Sequence, residues 1–188
     1  KLDETNGALM NDSAPYAHNG TTYGGVTLNQ AGATAYTGSC ARFDGSNGKV
    51  DMTYSSDLNP KTFTISLRVK VTGGSGTYRS PLTSRSASPR AGYAFYAGQG
   101  NQWEFWLGAD SAWKTLTGGP VVTNTWMHLT GTYDGATARF YTNGVLASSA
   151  STTMLVNTNF PLRIGAGGTE SSGSYWFQAA QSSISDGD

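Results

Sequence analysis

The sequence predicts an all-β protein, a two-sheet antiparallel β-sandwich of jelly-roll type, and three observations carry that prediction. The composition is one: 25 glycines and only 13% charged residues in 188, with abundant Ser and Thr and few Glu and Lys, favour short strands and tight turns over helices. A second is the spacing of about a dozen short runs of alternating character, each bounded by turn residues. The third is Phe63 to Val71, where Phe63, Ile65, Leu67, Val69 and Val71 face one way and Thr64, Ser66, Arg68 and Lys70 the other. One apolar and one polar, ligand-accessible face suits a sandwich better than a closed barrel. At this length residues 1–188 are expected to form a single domain with a sizeable core.

In chain order, Lys1 to Glu4 reads as a short strand and Thr5 to Gly25 as a long turn-rich connection. Val26 to Leu28 is a weak strand. Ala41 to Phe43 and Lys49 to Met52 flank Asp44-Gly45-Ser46-Asn47-Gly48 and read as a hairpin. Asn59-Pro60 turns the chain into the Phe63 strand. Pro81 to Arg85 is a short strand, and Tyr93 to Ala97 and Gln102 to Leu107 form a hairpin about Gly98-Gln99-Gly100-Asn101. Trp113 to Leu116 follows. Trp126 to Val145 reads as a meander broken at Asp134-Gly135 and Asn143-Gly144, dipeptides that accept positive φ and mark hairpins. Strands continue to about Ser149, at Pro161 to Ile164, at Tyr175 to Phe177 and at Ser182 to Ser185, with a glycine-rich loop from Gly165 to Gly173.

Several function classes are disfavoured. Twelve basic and twelve acidic residues give no net charge, and no basic stripe is visible to neutralise phosphates, so nucleic acid is not an expected partner. No run is long or apolar enough to span a bilayer, so no membrane partner is expected. Cys40 is the sole cysteine; it permits no intrachain disulfide or thiolate site and reads as a buried, inert thiol. The start at Lys1, without initiator Met or signal peptide, and the Ser/Thr/Gly/Asn-rich composition suggest a module cut from a longer extracellular or cell-surface protein.

The glutamates are Glu4, Glu104 and Glu170. A glycosidase needs two carboxylates roughly 5 to 10 Å apart, and no strand offers an alternating acidic motif. A nucleophile elbow is absent, and neither His18 nor His128 lies in a catalytic motif. Aromatic residues remain, because sugar rings stack on Trp and Tyr while polar neighbours bond the hydroxyls. Trp106 shares a face with Glu104, opposite Trp103, Phe105 and Leu107; Tyr96 lies across the hairpin from it, and Arg68 projects from a polar sheet face. Trp113, Tyr175 and Trp176 are strand-end or loop candidates. Trp126 and His128 read as structural.

Leu2-Asp3-Glu4, Ala41-Arg42-Phe43-Asp44-Gly45-Ser46 with Val50-Asp51, Leu58-Asn59-Pro60 before Phe63-Thr64-Ile65-Ser66, Trp126-Met127-His128-Leu129 with Thr132-Tyr133-Asp134-Gly135, Phe140-Tyr141 and Asn143-Gly144, and Pro161-Leu162-Arg163-Ile164-Gly165 occur in this order. Together they resemble a bacterial laminin-G-like domain of the concanavalin A-like lectin/glucanase superfamily. The resemblance implies a concanavalin A-like jelly roll and a choice among lectins, adhesin modules, enzyme-appended glycan binders and glycosidases. It also implies a calcium ion, for which Asp44 and Asp186 are the implied ligands among the oxygen donors present. Two departures stand out. Arg68 replaces a Trp usual in the family, and the last strand lacks the usual Ile-Asp-Glu-Val, as if divergent or truncated. The reading that ranks first is a non-catalytic, extracellular carbohydrate-binding module in a larger enzyme or adhesin, with calcium assistance left open because Asp44-Gly45 reads equally as a plain turn. A structural or protein-recognition module of a surface or virion protein ranks second, and a polysaccharide-degrading enzyme third.

Overall fold

In the computed structural model, which describes residues 2–34, 38–169, 174–176 and 182–185, two antiparallel sheets face each other. Seventeen strands and one short 3-10 turn, Ser56–Leu58, follow in chain order. The eight-stranded sheet runs β1 (Leu9–Met10), β2 (Gly20–Tyr23), β5 (Lys49–Met52), β14 (Leu162–Ile164), β7 (Arg79–Ala87), β8 (Arg90–Ala97), β9 (Gln102–Ala109), β10 (Ala112–Pro120). The seven-stranded sheet runs β13 (Val145–Ser151), β12 (Thr137–Thr142), β11 (Trp126–Tyr133), β6 (Phe63–Val71), β17 (Ser182–Ser185), β4 (Ser39–Phe43), β3 (Val26–Ala31). A small pair, β15 (Gly167–Thr169) and β16 (Ser174–Trp176), lies outside both.

Alternation builds the core. Val50, Leu67, Val69, Val71, Tyr93, Phe95, Trp103, Phe105, Leu107, Leu129 and Phe140 are buried between the sheets, one residue in two along each strand. At the centre Phe95 and Phe105 stack with centroids 4.8 Å apart, and Phe140 of the other sheet sits 6.1 Å from each. The same spot on β11 is Gly131, where an added Cβ would stand 2.8 Å from ring atoms of both Phe95 and Phe105. The rings occupy the volume that a side chain there would need.

The predicted meander is present as β11, β12 and β13. Asn143 and Gly144 both take positive φ, at 50° and 78°, as a two-residue hairpin with right-handed strand twist requires. At the other turn the Asp134 carboxylate accepts from Arg139, Thr137 and Ala136, which together hold it at about 2.

Four expectations change. Residues 2–4 form no strand, though Leu2 is buried in the core. The Thr5 to Gly25 connection contains β1 and β2, too short and polar to carry a period. Asp44 to Gly48 does not close a hairpin: β4 and β5 belong to different sheets, and this turn carries the chain across the sandwich. The strand predicted at Ser182 to Ser185 is present as β17, between β4 and β6. Strands around the turn at Ser88-Pro89 are also longer than read, reaching Ala87 and starting again at Arg90.

Gly131→Ala is expected to lower stability by about 1–3 kcal/mol through overpacking, read as a lower denaturant midpoint with an unchanged slope. Adding Phe105→Leu should recover part of the loss; full additivity of the two changes would show that this close approach does not set the sheet spacing.

Candidate functional site

Because Phe95, Phe105 and Leu107 point inward, their neighbours Tyr96, Glu104 and Trp106 point away from the core, on the outer face of the eight-stranded sheet. Register places Tyr96 opposite Glu104 and Trp106 opposite Thr115. Trp106 is the hub. Its ring lies 5.7 Å from Tyr78, 5.2 Å from Tyr96 and 5.8 Å from Trp113, the first two edge-on and the third tilted. Its indole Nε1 donates to Glu104 Oε2 at 2.8 Å. Trp106, Trp113, Tyr78 and Glu104 are half-buried and keep part of their surface open, whereas Tyr96 is only 2% exposed and supports them from below.

Arg85 braces the same cluster. Its Nη1 donates to Tyr96 Oη at 3.0 Å, and its guanidinium lies 4.9 Å from the Trp113 ring centre, a cation–π contact strengthened by burial. Arg79 is buried and bonds to main chain: Nη2 donates to the Gly98 carbonyl and Asn101 Oδ1, and Nε to the Ala97 carbonyl. It thereby fixes the β8–β9 turn beside Glu104. A Cβ at Gly98 in that turn would lie 2.2 Å from Glu104 Oε1, so a larger residue there would displace the Glu104 carboxyl.

Burial pushes the Glu104 carboxyl above its ordinary value, and the Trp106 N–H offsets part of that rise. Burial, and then the nearby Glu104 charge, pushes the Tyr78 hydroxyl up. The site therefore combines aromatic faces and edges with one carboxyl acceptor, the equipment for stacking a ring and bonding its hydroxyls.

The rest of this outer face is polar. Lys49 lies over the Tyr23 ring at 4.9 Å and pairs with Asp51, and Arg163 Nε stands 3.5 Å from Asp51 Oδ1. Thr83 donates to the Ala166 carbonyl at 2.9 Å, so the chain leaving β14 passes beside β7 on this side. There β15 contacts β7 and pairs with β16, with Gly168 opposite Tyr175 and Gly167 opposite Trp176. The backbone of those two predicted residues thus lies beside β15, the strand that contacts β7.

Of the predicted residues, the structure brings together Tyr96, Glu104, Trp106 and Trp113. Arg68 is not with them: it stands on β6 of the other sheet, opposite His128, and its outward direction is away from the Trp106 cluster. Asp44 serves the crossing between sheets. Its Oδ1 accepts from the N–H groups of Ser46, Asn47 and Gly48 at 2.8 to 3.0 Å, and Gly25 packs against its Oδ2. Burial alone would raise its pKa, yet these donors hold it below the usual range. Oδ1 so engaged fixes this turn. Asp186 lies outside the described residues, among which no three His, Cys, Asp or Glu side chains converge as a metal site would need.

Tyr78, Arg79 and Arg85 are the site residues that sequence reasoning missed. Arg85 could have been found from the alternation Thr83, Arg85 against Leu82, Ser84. Tyr78 precedes β7, and a register shift between Arg79 and Leu82 breaks the period there. A separate crevice of about 220 Å³ between the sheets, walled by Leu2, Met10, Val50, Met52 and Leu67, has His18 at its rim and is otherwise mostly apolar.

Comparison with known proteins agrees with this architecture. A laminin G family model of the concanavalin A-like lectin/glucanases superfamily matches residues 44–182. No curated protein matches the sequence. Among solved structures, one of botulinum neurotoxin type C, whose cell entry is dependent upon interaction with two ganglioside molecules, superposes with TM-score 0.69 at 16% identity, over 94% of this chain and 43% of that one. The binding domain of botulinum neurotoxin DC in complex with SialylT gives 0.69 at 14% identity, over 95% and 45%. Carbohydrate-binding module CBM66 from Bacillus subtilis gives 0.51 at 18% identity, over 86% and 92%. The chain spans less than half the length of the toxin chains, and at these identities the likeness is one of fold.

The raised Glu104 pKa has a defined sign. The folded protein holds this proton more tightly than the unfolded chain, so the group costs stability as pH rises from the ordinary Glu range through the raised value. Glu104→Gln keeps an acceptor for Trp106 and is expected to melt closer to, or above, wild type at about pH 7 than at about pH 4. An equal difference at both pH values, or an indole N–H resonance of Trp106 that ignores the titration, would contradict the assignment.

Proposed function

We propose that this chain, which belongs to the concanavalin A-like lectin/glucanases superfamily, is a non-catalytic carbohydrate-binding module that takes a sugar on the outer face of its eight-stranded sheet. The observation that carries the reading is the Trp106 cluster: half-open Trp106, Trp113 and Tyr78 around the carboxyl of Glu104, on a sheet face directed away from the core. Trp106 and Trp113 supply stacking area, Glu104 accepts from a sugar hydroxyl, and Arg85 and Tyr96 hold the aromatic rings in place. The ganglioside, SialylT and carbohydrate binding of proteins with similar folds supports the same class of ligand. Glycans of this class abound outside cells, which supports an extracellular or cell-surface setting as part of this reading.

Spacing argues against hydrolysis at this face. Asp51 shares it with Glu104, but β5 and β9 are separated by β14, β7 and β8, roughly 19 Å at the usual strand spacing. That exceeds the roughly 5–10 Å over which a carboxylate pair flanks a glycosidic bond.

On a broad glycan array the domain should bind a defined subset saturably, and Trp106→Ala should weaken that binding roughly tenfold or more, as truncation of a central aromatic anchor does. In a reducing-end assay on the same ligands the chain is expected to release no sugar. Flat array responses, or Trp106→Ala binding like wild type, would remove the assignment; release of reducing ends would revive an enzyme.

A further inference from the structure

Three rings of the Trp106 cluster stand steeply to one another and bound a corner rather than a flat platform. Tyr78 and Trp106 meet at 87° with centroids 5.7 Å apart, Tyr96 and Trp106 at 71° and 5.2 Å, and Tyr78 and Tyr96 at 64° and 5.3 Å. A sugar ring stacks on an open, flat aromatic face, whereas a corner of steep rings offers electron-rich faces to a small cation. Trp113, tilted 46° to Trp106 on the adjoining strand β10, is the surface beside that corner.

Glu104 supplies the charge there. Its Oε2 accepts the Trp106 indole N–H at 2.8 Å. Its Oε1 lies over Gly98, where an added Cβ would approach to 2.2 Å, and among the described residues no group donates to Oε1. The nearby cations are engaged elsewhere. Arg79 is held by the carbonyls of Ala97 and Gly98 and by Asn101, and Arg85 by the Tyr96 hydroxyl and the Trp113 ring, both of them buried. In register Glu104 faces Tyr96 on β8 and Thr117 on β10, neither of them a cation. The accessible charge among these rings is therefore negative. Burial pushes the Glu104 carboxyl up, and a carboxylate short of water and of a counter-ion gains most from an ammonium group brought against it.

We propose that the Trp106 site selects glycans carrying free, protonated amino groups, with the ammonium against Trp106 and Tyr78 and paired with Glu104 Oε1 while the sugar ring lies against Trp113. This selection rests on the carbohydrate-binding reading of the site and adds to it which sugar is preferred. An ammonium makes charge-assisted hydrogen bonds to a carboxylate, and a hydroxyl or an N-acetyl group makes only neutral ones to the same oxygen. A uronate or sulfate meets like charge from Glu104.

Cello-, chitin and chitosan oligosaccharides of equal length isolate the choice, because they differ in one substituent: a hydroxyl, an acetamide or an amine. Titrated calorimetrically into the whole chain, the chitosan oligosaccharide should bind roughly tenfold or more tighter than the other two, the scale of a hydrogen bond to a charged group. In Glu104→Gln the ratio of chitosan to cello affinity should fall to about one, since the charge is gone while an acceptor remains. Trp106→Ala should lose the ratio too, which ties it to this corner rather than to charge elsewhere on the surface. Lowering the pH through the raised Glu104 value should shrink the ratio in the wild type. Of the groups facing the corner only Glu104 discharges there, because the guanidinium groups of Arg79 and Arg85 stay charged and the Tyr78 hydroxyl, pushed up, stays neutral. Polylysine, a cation without a sugar, should not compete. Neutral oligosaccharides binding as tightly as chitosan, a ratio untouched by Glu104→Gln, or competition by polylysine would overturn the selection and leave the carbohydrate-binding reading standing. Failure of all three oligosaccharides to bind would overturn it as well, and would remove that reading too only if the glycan array were also flat.

Discussion

The close approach of the two sheets at Gly131 governs much else in the molecule. Phe95 and Phe105 from one sheet and Phe140 from the other fill the space over that glycine, which fixes which face of each strand is the core. In a strand with period 2, fixing one residue fixes all. Once Phe105 is inside, Glu104 and Trp106 are outside; once Leu67 and Val69 are inside, Arg68 and Lys70 are outside. The outward direction of the Trp106 cluster is thus a consequence of the core packing.

The Trp106 cluster meets the ordinary difficulty of a polar group near a sheet by supplying partners. Glu104 would be costly in a half-buried position without a donor, and the indole N–H provides one. Arg79 and Arg85 are more deeply buried, at 2% and 4% exposure. Main-chain carbonyls receive Arg79, and the Tyr96 hydroxyl and Trp113 ring receive Arg85. These contacts hold ring orientations before any ligand arrives, and pre-ordered aromatic surfaces lose less side-chain entropy on binding.

Much of the fold was legible from the residues because its signals are local. The Phe63 strand, the Gly98 to Asn101 hairpin and the Trp126 meander each carry their own alternation and turn chemistry, and each is present. What alternation cannot encode is which sheet a strand joins. Arg68 and Trp106 both read as outward residues, and both are, but on opposite sheets. Asp44 to Gly48 reads as a hairpin turn for the same reason: a tight turn between two strands looks alike whether they pair or part. At the N-terminus β1 has two residues, too few for any period, and Tyr78 lies beyond the strand whose alternation would have placed it. Within the candidate site, then, Tyr96, Glu104, Trp106 and Trp113 were readable from face and spacing, whereas their bracing by Arg79 and Tyr78 depends on a register shift that only the folded chain discloses.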